Sequence, residues 1–527
     1  MKEILKNSFY QLLVVYAVLI ALISFNLFWK YTYHFEIFAL IIAILGIFII
    51  SRDNLRTKKV INNKIHYFLI ILALLLIITL RVIPYLDNSI PLGYDTGIYK
   101  YGIEHGLQNY DNWILRGGLE PGFLYLMKPF TWIFNSQFIL TYFLIGFCVM
   151  LGIGIYLVTK EYFNKEAALI SLLIYSLSLI QFKTFWYMYY KNIIGLSLAL
   201  FSIYFLKRYK DAGNKKFIWL FVILGGLLGS IHRPTFYIFG LSYFFYVVFG
   251  FIKERDYRIL KQNITNGILI LLIAGVFYLG KFSQAVFVVL PWVAEGFLQP
   301  GQSPGTFINF FTYQFSTLTY LPFAILGLFF LIKKRYFNIL FFWALITALI
   351  VYFQFFFFNR FIIHLDIMLI ILSGAGFSII IENKKKIGYL ILIIMIFSSG
   401  FLAFNDSFNS KPLISANELE TIKYFQNTES NSYAMSTSSI YSTWILGYSG
   451  RKTIAPGLFD YDTHTEDEWI VFWTTEDISK IKTFMNAYEK PLYIFIGQKQ
   501  NNNLDKFREC FEIIYELDNN KIYKYTC

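Results

Sequence analysis

The chain has 527 residues, of which 57% are hydrophobic and only 15% are charged, and its formal net charge is +13. Soluble globular domains are considerably more polar than this, so the composition excludes that class. The three cysteines lack metal-ligand spacing, and the sequence contains neither a nucleotide-binding loop nor a zinc-protease motif. The composition therefore predicts a polytopic membrane protein.

Apolar segments that could cross a hydrocarbon layer of about 30 Å recur along the whole chain. The first of them is too long for the core of a signal peptide, so we interpret it as a retained span. We predict about thirteen transmembrane helices, at about 8–29, 36–51, 66–84, 136–158, 167–183, 190–206, 217–232, 235–252, 264–290, 315–332, 337–358, 361–381 and 387–404.

The lysine- and arginine-rich connections between these spans predict the orientation of the chain. If the N-terminus is cytoplasmic, all of the basic connections fall on the cytoplasmic side, as the positive-inside rule requires. They are RDNLRTKK (52–59), KRYKDAGNKK (207–216), KERDYRILK (253–261), KKR (333–335) and KKK (384–386). The positive charge is thus explained by topology, and no nucleic acid partner is expected.

Three longer segments then fall outside the cytoplasm, at about 85–135, 291–314 and 405–527. We predict a transmembrane domain over 1–404, with a catalytic loop at about 85–135, and an extracytoplasmic α/β domain over 405–527. In this second domain NELETIKYFQN has helical spacing, whereas PLYIFIG and the C-terminal residues have the pattern of strands.

The last two strands are predicted to form a hairpin that includes two cysteines. If the hairpin turns at Asp518–Asn519, Cys510 and Cys527 face each other. A disulfide is then possible in an oxidising compartment, and two unpaired cysteines are equally compatible with the sequence.

The stretch PLGYDTGIYKYGIEHG (91–106) follows the third predicted span and places Asp95 near the outer membrane surface. A carboxylate there suits proton abstraction from an acceptor hydroxyl while a second substrate stays in the lipid, although a solvated loop aspartate is the alternative. Glu104 and His105 are either partners of Asp95 or surface residues, and we favour the surface for His105. Glu120 either turns towards the same cavity as Asp95, where the reaction would take place, or is an interfacial carboxylate.

Several basic residues lie at the outer ends of predicted spans, against the positive-inside trend. They are Lys183, Lys191, His232, Arg233 and Arg360. A guanidinium group binds two oxygens of an anion at once, so these residues are candidates for binding a lipid phosphate. The alternative is that the long side chains only extend to the membrane surface.

His364 and Asp366 are predicted to lie about one turn inside the membrane. Ionisable groups at such depth are costly and usually have partners. These two residues are expected to pair with each other or with Arg360, and we favour a structural role for them.

The order of these motifs resembles the GT-C superfamily of integral membrane glycosyltransferases, on the branch that holds the protein O-mannosyltransferases and the lipid A aminoarabinose transferases. The resemblance covers most of the chain from about residue 66. It rests on GYDTGIYKYG at Asp95, EPGFLYL (120–126), GGLLGSIHRPT (225–235), NRFIIHLDIMLIILSGAG (359–376) and ELETIKYFQNT followed by WILGYSGRK (444–452). Two extra spans before the loop and His232–Arg233 in place of lysine depart from the pattern, which leaves the substrate open.

The resemblance implies an inverting transfer of a sugar from a polyprenyl (dolichyl or undecaprenyl) phosphate to a hydroxyl of a glycan, lipid or protein. In that picture Asp95 is the general base, with Glu104 and Glu120 as further catalytic candidates. Basic residues would stabilise the charge that develops on the departing lipid phosphate. These are Arg233, Arg360, Lys191 and His232. No cofactor and no metal are expected.

Two other classes of protein remain open. A transporter or flippase of a lipid-linked glycan would carry its charges near the bilayer midplane and would have paired, interrupted helices. The predicted charges lie at the outer surface and no inverted repeat is evident, which favours the enzyme. In a non-catalytic assembly subunit, by contrast, Asp95 would be dispensable.

Overall fold

The structure, a computed structural model, describes residues 63–106, 119–279, 308–355, 357–383, 385–436, 438–454, 463–500 and 504–527. The first two predicted spans and the basic connection RDNLRTKK lie outside these residues, as does most of the predicted outer segment at about 291–314. The described chain is mainly helical and divides into two compact units.

The helices are numbered here in chain order. They are α1 Asn63–Val82, α2 Thr96–His105, α3 Pro121–Met127, α4 Ser136–Tyr162, α5 Lys165–Leu177, α6 Leu179–Trp186, α7 Tyr190–Ala212, α8 Lys215–Ile231, α9 Arg233–Glu254, α10 Tyr257–Val276, α11 Phe310–Thr317, α12 Leu321–Lys333, α13 Ile339–Tyr352, α14 Phe358–Asn383, α15 Lys385–Asn409, α16 Ala416–Tyr424, α17 Ser439–Tyr448, α18 Glu466–Thr474 and α19 Ile478–Met485. The strands are β1 Tyr433–Ser436, β2 Lys452–Ile454, β3 Leu492–Ile496, β4 Phe511–Leu517 and β5 Asn520–Tyr525.

The described helices show that this is a multi-pass membrane protein. Among the described residues, 6 helices are long and apolar enough to cross a membrane, or up to 8 if each of two bent pairs is one span. The bent pairs are α5 with α6, at 50°, and α11 with α12, at 79°. The predicted number of about thirteen spans is therefore not confirmed, although every predicted span between 66 and 404 overlaps a described helix.

The first unit comprises the described parts of 1–86, 145–185 and 190–409. Helix α14 is its centre, because the apolar part of that helix is completely buried by its neighbours. Small residues allow the close packing: a β-carbon on Gly376 would lie 2.0 Å from the carbonyl oxygen of Phe323 in α12. Close contact through glycine is typical of helix pairs in membranes, and here it holds the C-terminal half of α14 against α12.

The second unit comprises Asp87–Leu144, Trp186–Tyr189 and Ser410–Cys527. Its sheet has the strand order β2-β1-β3-β5-β4, in which β1 is parallel to β2 and β3, and β5 is antiparallel to β3 and β4. Apolar clusters form its core, so the prediction of an α/β structure near the C-terminus is confirmed. The second unit also includes described residues between Asp87 and Leu144, from the predicted catalytic loop. The division into domains over 1–404 and 405–527 remains a prediction.

The C-terminal hairpin has the predicted turn. Leu517 pairs with Asn520, and the two residues between them have φ values of 48° and 64°. These values suit a type I′ turn, which Asp and Asn tolerate well. The hairpin is joined by a disulfide between Cys510 and Cys527, whose α-carbons lie 4.9 Å apart.

Candidate functional site

Asp95 lies immediately before α2 and occupies the N-cap position of that helix. Its carbonyl oxygen accepts a hydrogen bond of 3.0 Å from the amide of Tyr99, while its side chain does not cap the helix. The side chain is partly exposed. Asp95 therefore lies at the positive end of the α2 dipole, in a partly exposed position.

The C-terminal part of the chain holds the backbone around Asp95 in place. The hydroxyl of Thr443 in α17 donates to the carbonyl oxygen of Tyr94 at 2.9 Å, and the phenol of Tyr94 donates to the carbonyl oxygen of Ser439 at 2.9 Å. Burial raises the pKa of Tyr94 to about 12, and the negative charge of Asp95 contributes to the increase. The phenol therefore stays protonated at neutral pH and keeps its role as a donor.

Glu120 and Glu104 have different surroundings. Glu120 is buried, with 3% exposure, at the N-cap of α3, and α3 packs against α2 through Phe123 and Tyr99, whose rings are 5.3 Å apart. Glu104 lies at the other end of α2, about 14 Å along the helix from Asp95 at 1.5 Å per residue. Glu120 is thus buried before a helix that packs against α2, and Glu104 lies on the surface.

Glu104 takes part in contacts at the C-terminal end of α2. Its carboxylate pairs with Lys100 at 2.6 Å and accepts a hydrogen bond of 2.5 Å from Ser136. His105 is also exposed, as favoured from the sequence, and its ring stacks on Tyr101 at 4.2 Å. Both residues stabilise the C-terminal end of α2.

The predicted phosphate-binding residues form a cluster in the first unit. Lys191, Arg233 and Arg360 lie close enough to His232 for their positive charges to act on its ring. Helix α7 packs closely against the turn at His232. A β-carbon on Gly195 of this helix would lie only 2.9 Å from the β-carbon of His232. We call these four residues, Lys191, His232, Arg233 and Arg360, the basic cluster.

Each cation of the basic cluster lies in the first turn of a helix. Lys191 is the second residue of α7, Arg233 the first of α9 and Arg360 the third of α14. Cations normally stabilise the C-terminal end of a helix, and at the N-terminus each costs about 0.3–1 kcal/mol. Three helix N-termini and three cations together make a strongly positive region, and a residue pattern that opposes stability in this way is typical of a functional site.

A threonine between two buried histidines completes the cluster. The hydroxyl of Thr235 lies 2.7 Å from Nδ1 of His232 and 2.8 Å from Nε2 of His364. Their exposures are 0% for Thr235, 6% for His232 and 0% for His364. The hydroxyl can donate to one ring and accept from the other, so this bridge orients the ring of His232.

Thr235 was not singled out from the sequence. A signal existed, because Thr235 follows the N-cap residue His232 by three positions, which is the spacing of reciprocal capping contacts at the start of a helix. The partner of that pair in space, His364, lies far away in the chain. No local pattern in the sequence joins it to Thr235.

Asp366 has its own set of donors and a structural role. It is fully buried and accepts hydrogen bonds from Ser178 at 3.0 Å, from Gln181 at 2.8 Å and from the phenol of Tyr320. These contacts differ from the expected pairing with His364 or Arg360. A carboxylate with three donors is stabilised in place, and this explains how the packed interior tolerates it.

Two other buried or half-buried cations are held by protein groups. Arg81, which is 1% exposed, donates to the carbonyl oxygens of Ile77 at 3.2 Å and Gln181 at 3.4 Å. Lys183 pairs with Asp406 at 2.7 Å, so its charge is neutralised within the first unit. The contact with Asp406 thus explains how the charge of Lys183 is tolerated.

Among the described residues, no group of three or more His, Cys, Asp or Glu side chains is placed to hold a metal ion. A partly exposed carboxylate can abstract a proton, and a cluster of cations can stabilise an anion.

Comparisons with known proteins agree with this architecture. A family model described as dolichyl-phosphate-mannose-protein mannosyltransferase matches residues 120–278, which include Glu120 and most of the basic cluster. Among curated protein sequences, none matches this chain.

Two solved structures illustrate the similarity of fold. The archaeal oligosaccharyltransferase AglB from Archaeoglobus fulgidus, in complex with an inhibitory peptide and a dolichol-phosphate, superposes with a TM-score of 0.60 at 14% sequence identity, over 82% of this chain and 69% of that chain. ArnT from Cupriavidus metallidurans, bound to undecaprenyl phosphate, superposes with a TM-score of 0.58 at 10% identity, over 87% of this chain and 97% of that chain. The membrane helices, the family match and these superpositions together show that the chain has the fold of the GT-C superfamily of integral membrane glycosyltransferases, as the order of its motifs predicted.

Proposed function

We propose that this protein is a membrane glycosyltransferase that moves a hexosyl or pentosyl group from a polyprenyl-phosphate donor to an acceptor hydroxyl on the outer face of the membrane. The reaction is an inverting displacement. Asp95 removes the proton of the hydroxyl, the hydroxyl oxygen attacks the anomeric carbon, and the lipid phosphate leaves with the bonding electron pair.

The basic cluster is the observation that carries this proposal. Lys191, Arg233 and Arg360 lie at three helix N-termini beside His232, and this arrangement attracts an anion more strongly than any single cation. A phosphate that gains negative charge in the transition state is stabilised most by donors that are already in place. We therefore assign the phosphate of the donor to these residues.

The donor lipid is inferred from the similar proteins and from the site of reaction. AglB has been solved with a dolichol-phosphate and ArnT with undecaprenyl phosphate. An enzyme that works outside the cytoplasm has no nucleotide-sugar pool, so a lipid-linked donor supplies the activated sugar. The polyprenyl chain would lie among the exposed apolar side chains of the membrane helices.

The assignment of Asp95 as the general base rests on its position and its support. It is partly exposed at the N-terminus of α2, and α17 holds the preceding residue by hydrogen bonds. Glu120, on the neighbouring helix α3, is the second candidate. Glu104 is the weakest of the three because it lies exposed at the other end of α2 from Asp95.

The proposed orientation has the N-terminus in the cytoplasm and the C-terminal α/β segment outside. It is supported by the basic ends of α7, α9 and α12, which bear lysine and arginine in their last turns or in the residues that follow. The disulfide between Cys510 and Cys527 also favours an oxidising compartment for the C-terminal segment. The acceptor is a glycan, a lipid or a protein.

The test is a transfer assay with purified protein and a panel of radiolabelled polyprenyl-phosphate sugars, with membrane extract from the source organism as the acceptor. Wild type is compared with Asp95→Asn, and Asp87→Asn is the matched control because Asp87 is an exposed aspartate of the same segment. Loss of a general base lowers the rate by roughly a hundredfold or more. We expect that loss in Asp95→Asn alone, and no effect of a chelator.

Equal transfer by Asp95→Asn and wild type would contradict the assignment of the base and direct attention to Glu120. Activity abolished by a chelator would contradict a metal-independent mechanism. If no donor is used although polyprenyl phosphates still bind, the transferase proposal fails and a flippase of a lipid-linked glycan becomes the better hypothesis.

A further inference from the structure

A cavity with charged and aromatic side chains in its lining lies in the first unit, at the ends of the helices that point away from the basic cluster. Its volume is about 230 Å³, and it is lined by the last turns of α7 and α9, the start of α10 and the connection between α12 and α13. Pockets for drug-sized ligands usually measure about 300–1,000 Å³, so this cavity suits a small polar group. We call it the distal cavity.

The distal cavity is about one membrane thickness away from the basic cluster. Helix α9 begins at Arg233 and reaches the cavity at Lys253, and a helix of that length spans about 30 Å at 1.5 Å per residue. Helix α7 likewise runs from Lys191 to Lys210. The hydrocarbon layer of a bilayer is about 30 Å thick, so the two sites lie at opposite membrane surfaces.

Four basic side chains line the distal cavity, and two of them have acidic neighbours. Lys207 pairs with Asp211 at 2.7 Å. Lys210 lies over the ring of Tyr246 at 4.6 Å and is attracted by the negative charge of Glu254. The charges of these two lysines are therefore largely balanced inside the cavity.

The other two cations, Lys253 and Arg335, are exposed, and in the part of the chain that the structure describes neither forms a salt bridge. The remaining carboxylate of the cavity, Asp256, accepts hydrogen bonds from the amides of Arg258 at 2.8 Å and Ile259 at 3.3 Å. The lining as a whole contains four cations and three carboxylates, so its formal charge is +1. Lys253 and Arg335 are the exposed cations of the lining.

The backbone at Arg335 ends α12. Arg335 has a φ of 50°, a left-handed conformation that glycine adopts more easily than any other residue. A residue in this conformation commonly ends an α-helix, and here the amide of Tyr336 donates to the carbonyl oxygen of Leu331 at 2.9 Å. Arg335 lies two residues after the end of α12, in the lining of the distal cavity.

An apolar path of exposed side chains runs along α9 and ends at Ile252, directly before the cavity-lining residue Lys253. Leu241, Phe245 and Ile252 are 46%, 44% and 56% exposed and recur at helical spacing on one side of the helix. Side chains of this kind contact acyl chains, whereas the cavity on the adjoining side of the helix offers cations and phenols. A cavity with cations beside an apolar surface is complementary to a lipid with a charged head group.

We propose that the distal cavity binds the phosphate of an anionic phospholipid from the leaflet opposite the basic cluster. The phosphate contacts Lys253 and Arg335, and the acyl chains lie along α9. Free phosphate shares this head-group chemistry but cannot use the apolar path. The proposal concerns a second anion site and does not depend on the transferase activity.

The test measures lipid binding to the full-length protein in detergent, by native mass spectrometry and by the thermal unfolding midpoint. The probes are phosphatidylglycerol, phosphatidylcholine and inorganic phosphate at equal concentrations. The cavity variant is Lys253→Gln with Arg335→Gln. The matched control is Lys261→Gln with Lys334→Gln, which removes two exposed lysines from the same end of the bundle but outside the cavity lining.

We expect phosphatidylglycerol to bind and to raise the unfolding midpoint of wild type and control, while phosphatidylcholine and inorganic phosphate do so weakly. The cavity variant should bind phosphatidylglycerol roughly thirtyfold less tightly, because each cation near an anionic lipid contributes about fivefold. Equal binding by cavity variant and control overturns the proposal. An equal effect of inorganic phosphate and phosphatidylglycerol overturns the lipid as its ligand. If the glutamine variant does not fold, Lys253→Arg with Arg335→Lys must retain binding, and loss of binding in that pair also overturns the proposal.

Discussion

Gly97 of α2 lies against Gly447 of α17, and neither residue has room for a β-carbon. A β-carbon on Gly97 would lie 1.8 Å from the carbonyl oxygen of Thr443, and one on Gly447 would lie 2.5 Å from the carbonyl oxygen of Gly97. Asp95 precedes Gly97 by two residues. The close approach of these backbones therefore fixes the start of α2 on a helix from the C-terminal part of the chain, and with it the position of the proposed base.

We predict that Gly97→Ala and Gly447→Ala each separate α2 from α17. The nearest atoms are backbone atoms that cannot rotate away, and forcing extra atoms into a packed contact costs about 1–3 kcal/mol. Both variants should lower the unfolding midpoint and should lose most sugar transfer, because Asp95 moves. The measurements are thermal unfolding in detergent and the transfer assay.

Gly146→Ala in α4 is the control, because a β-carbon there would meet no atom within 4 Å. Alanine is also a better helix former than glycine, so this variant should be as stable as wild type or more stable. Wild-type stability and transfer in Gly97→Ala would contradict the described packing of α2 on α17.

The contact between Gly97 and Gly447 is a feature that could not be predicted from the sequence. The apolar runs and basic connections predicted the helices between 66 and 404, since lipid imposes its pattern on every turn of a membrane helix. The breaks between α5 and α6 and between α11 and α12 depend on how neighbouring helices pack, so the number of spans was not predictable. Contacts between distant segments leave no periodic signal at all.

The candidate site was predictable to a similar extent. Arg233 and Arg360 stood out because cations at the outer ends of apolar segments are costly, and the structure brings both near His232. Thr235 carries no charge and was not predicted as a site residue, although its hydroxyl lies within hydrogen-bond distance of both His232 and His364. The charged residues of the candidate site could thus be proposed from the sequence, whereas the contact of Thr235 with both histidines depends on tertiary structure.

Replacing Thr235 tests that bridge. Thr235→Val keeps the shape of the side chain and removes the hydroxyl, which leaves ring nitrogens of two buried histidines without this partner. Each buried polar group that loses its hydrogen bond costs about 1–3 kcal/mol. We expect a lower unfolding midpoint, and a lower rate of transfer at saturating donor because His232 is no longer oriented.

Thr235→Ser retains the hydroxyl and loses one methyl group, at a cost of about 0.8 kcal/mol. It should therefore be close to wild type in rate and should restore what the valine variant loses. If valine and serine have the same effect on both stability and rate, the hydroxyl bridge has no role and only the packing of the side chain matters.

Substitutions of Arg360 distinguish the effect of its positive charge on phosphate binding from the effect of its planar geometry. Arg360→Lys keeps the positive charge but loses the planar group that binds two phosphate oxygens at once. A hydrogen bond to a charged group contributes about 1.5–3 kcal/mol, so loss of one contact should weaken binding of undecaprenyl phosphate by roughly ten- to a hundredfold. Arg360→Gln should weaken it further.

The measurement is the dissociation constant of undecaprenyl phosphate for the purified protein, at two salt concentrations. Arg258→Gln is the control because Arg258 is an exposed arginine of α10 at the other end of the bundle. If Arg360→Gln binds undecaprenyl phosphate as tightly as the control does, Arg360 does not contact the phosphate.

The disulfide between Cys510 and Cys527 gives a prediction about stability and about the side of the membrane. The chain has three cysteines, and Cys148 is the remaining one. Protein unfolded without reductant should therefore react with one equivalent of a thiol reagent, and with three after reduction. Membranes should be treated with a thiol-blocking reagent before extraction, so that the pairing is the one formed in the cell.

Reduction should also destabilise the C-terminal segment. The two cysteines are separated by 17 positions, and closing a loop of about this size contributes about 3 kcal/mol. A reductant should lower the unfolding midpoint of wild type and leave that of Cys510→Ala with Cys527→Ala unchanged, since the double variant has no bond to break. Three reactive thiols in blocked, unreduced protein would show that the segment is not exposed to an oxidising compartment, and the proposed extracytoplasmic location of the C-terminal segment would lose its support from the disulfide.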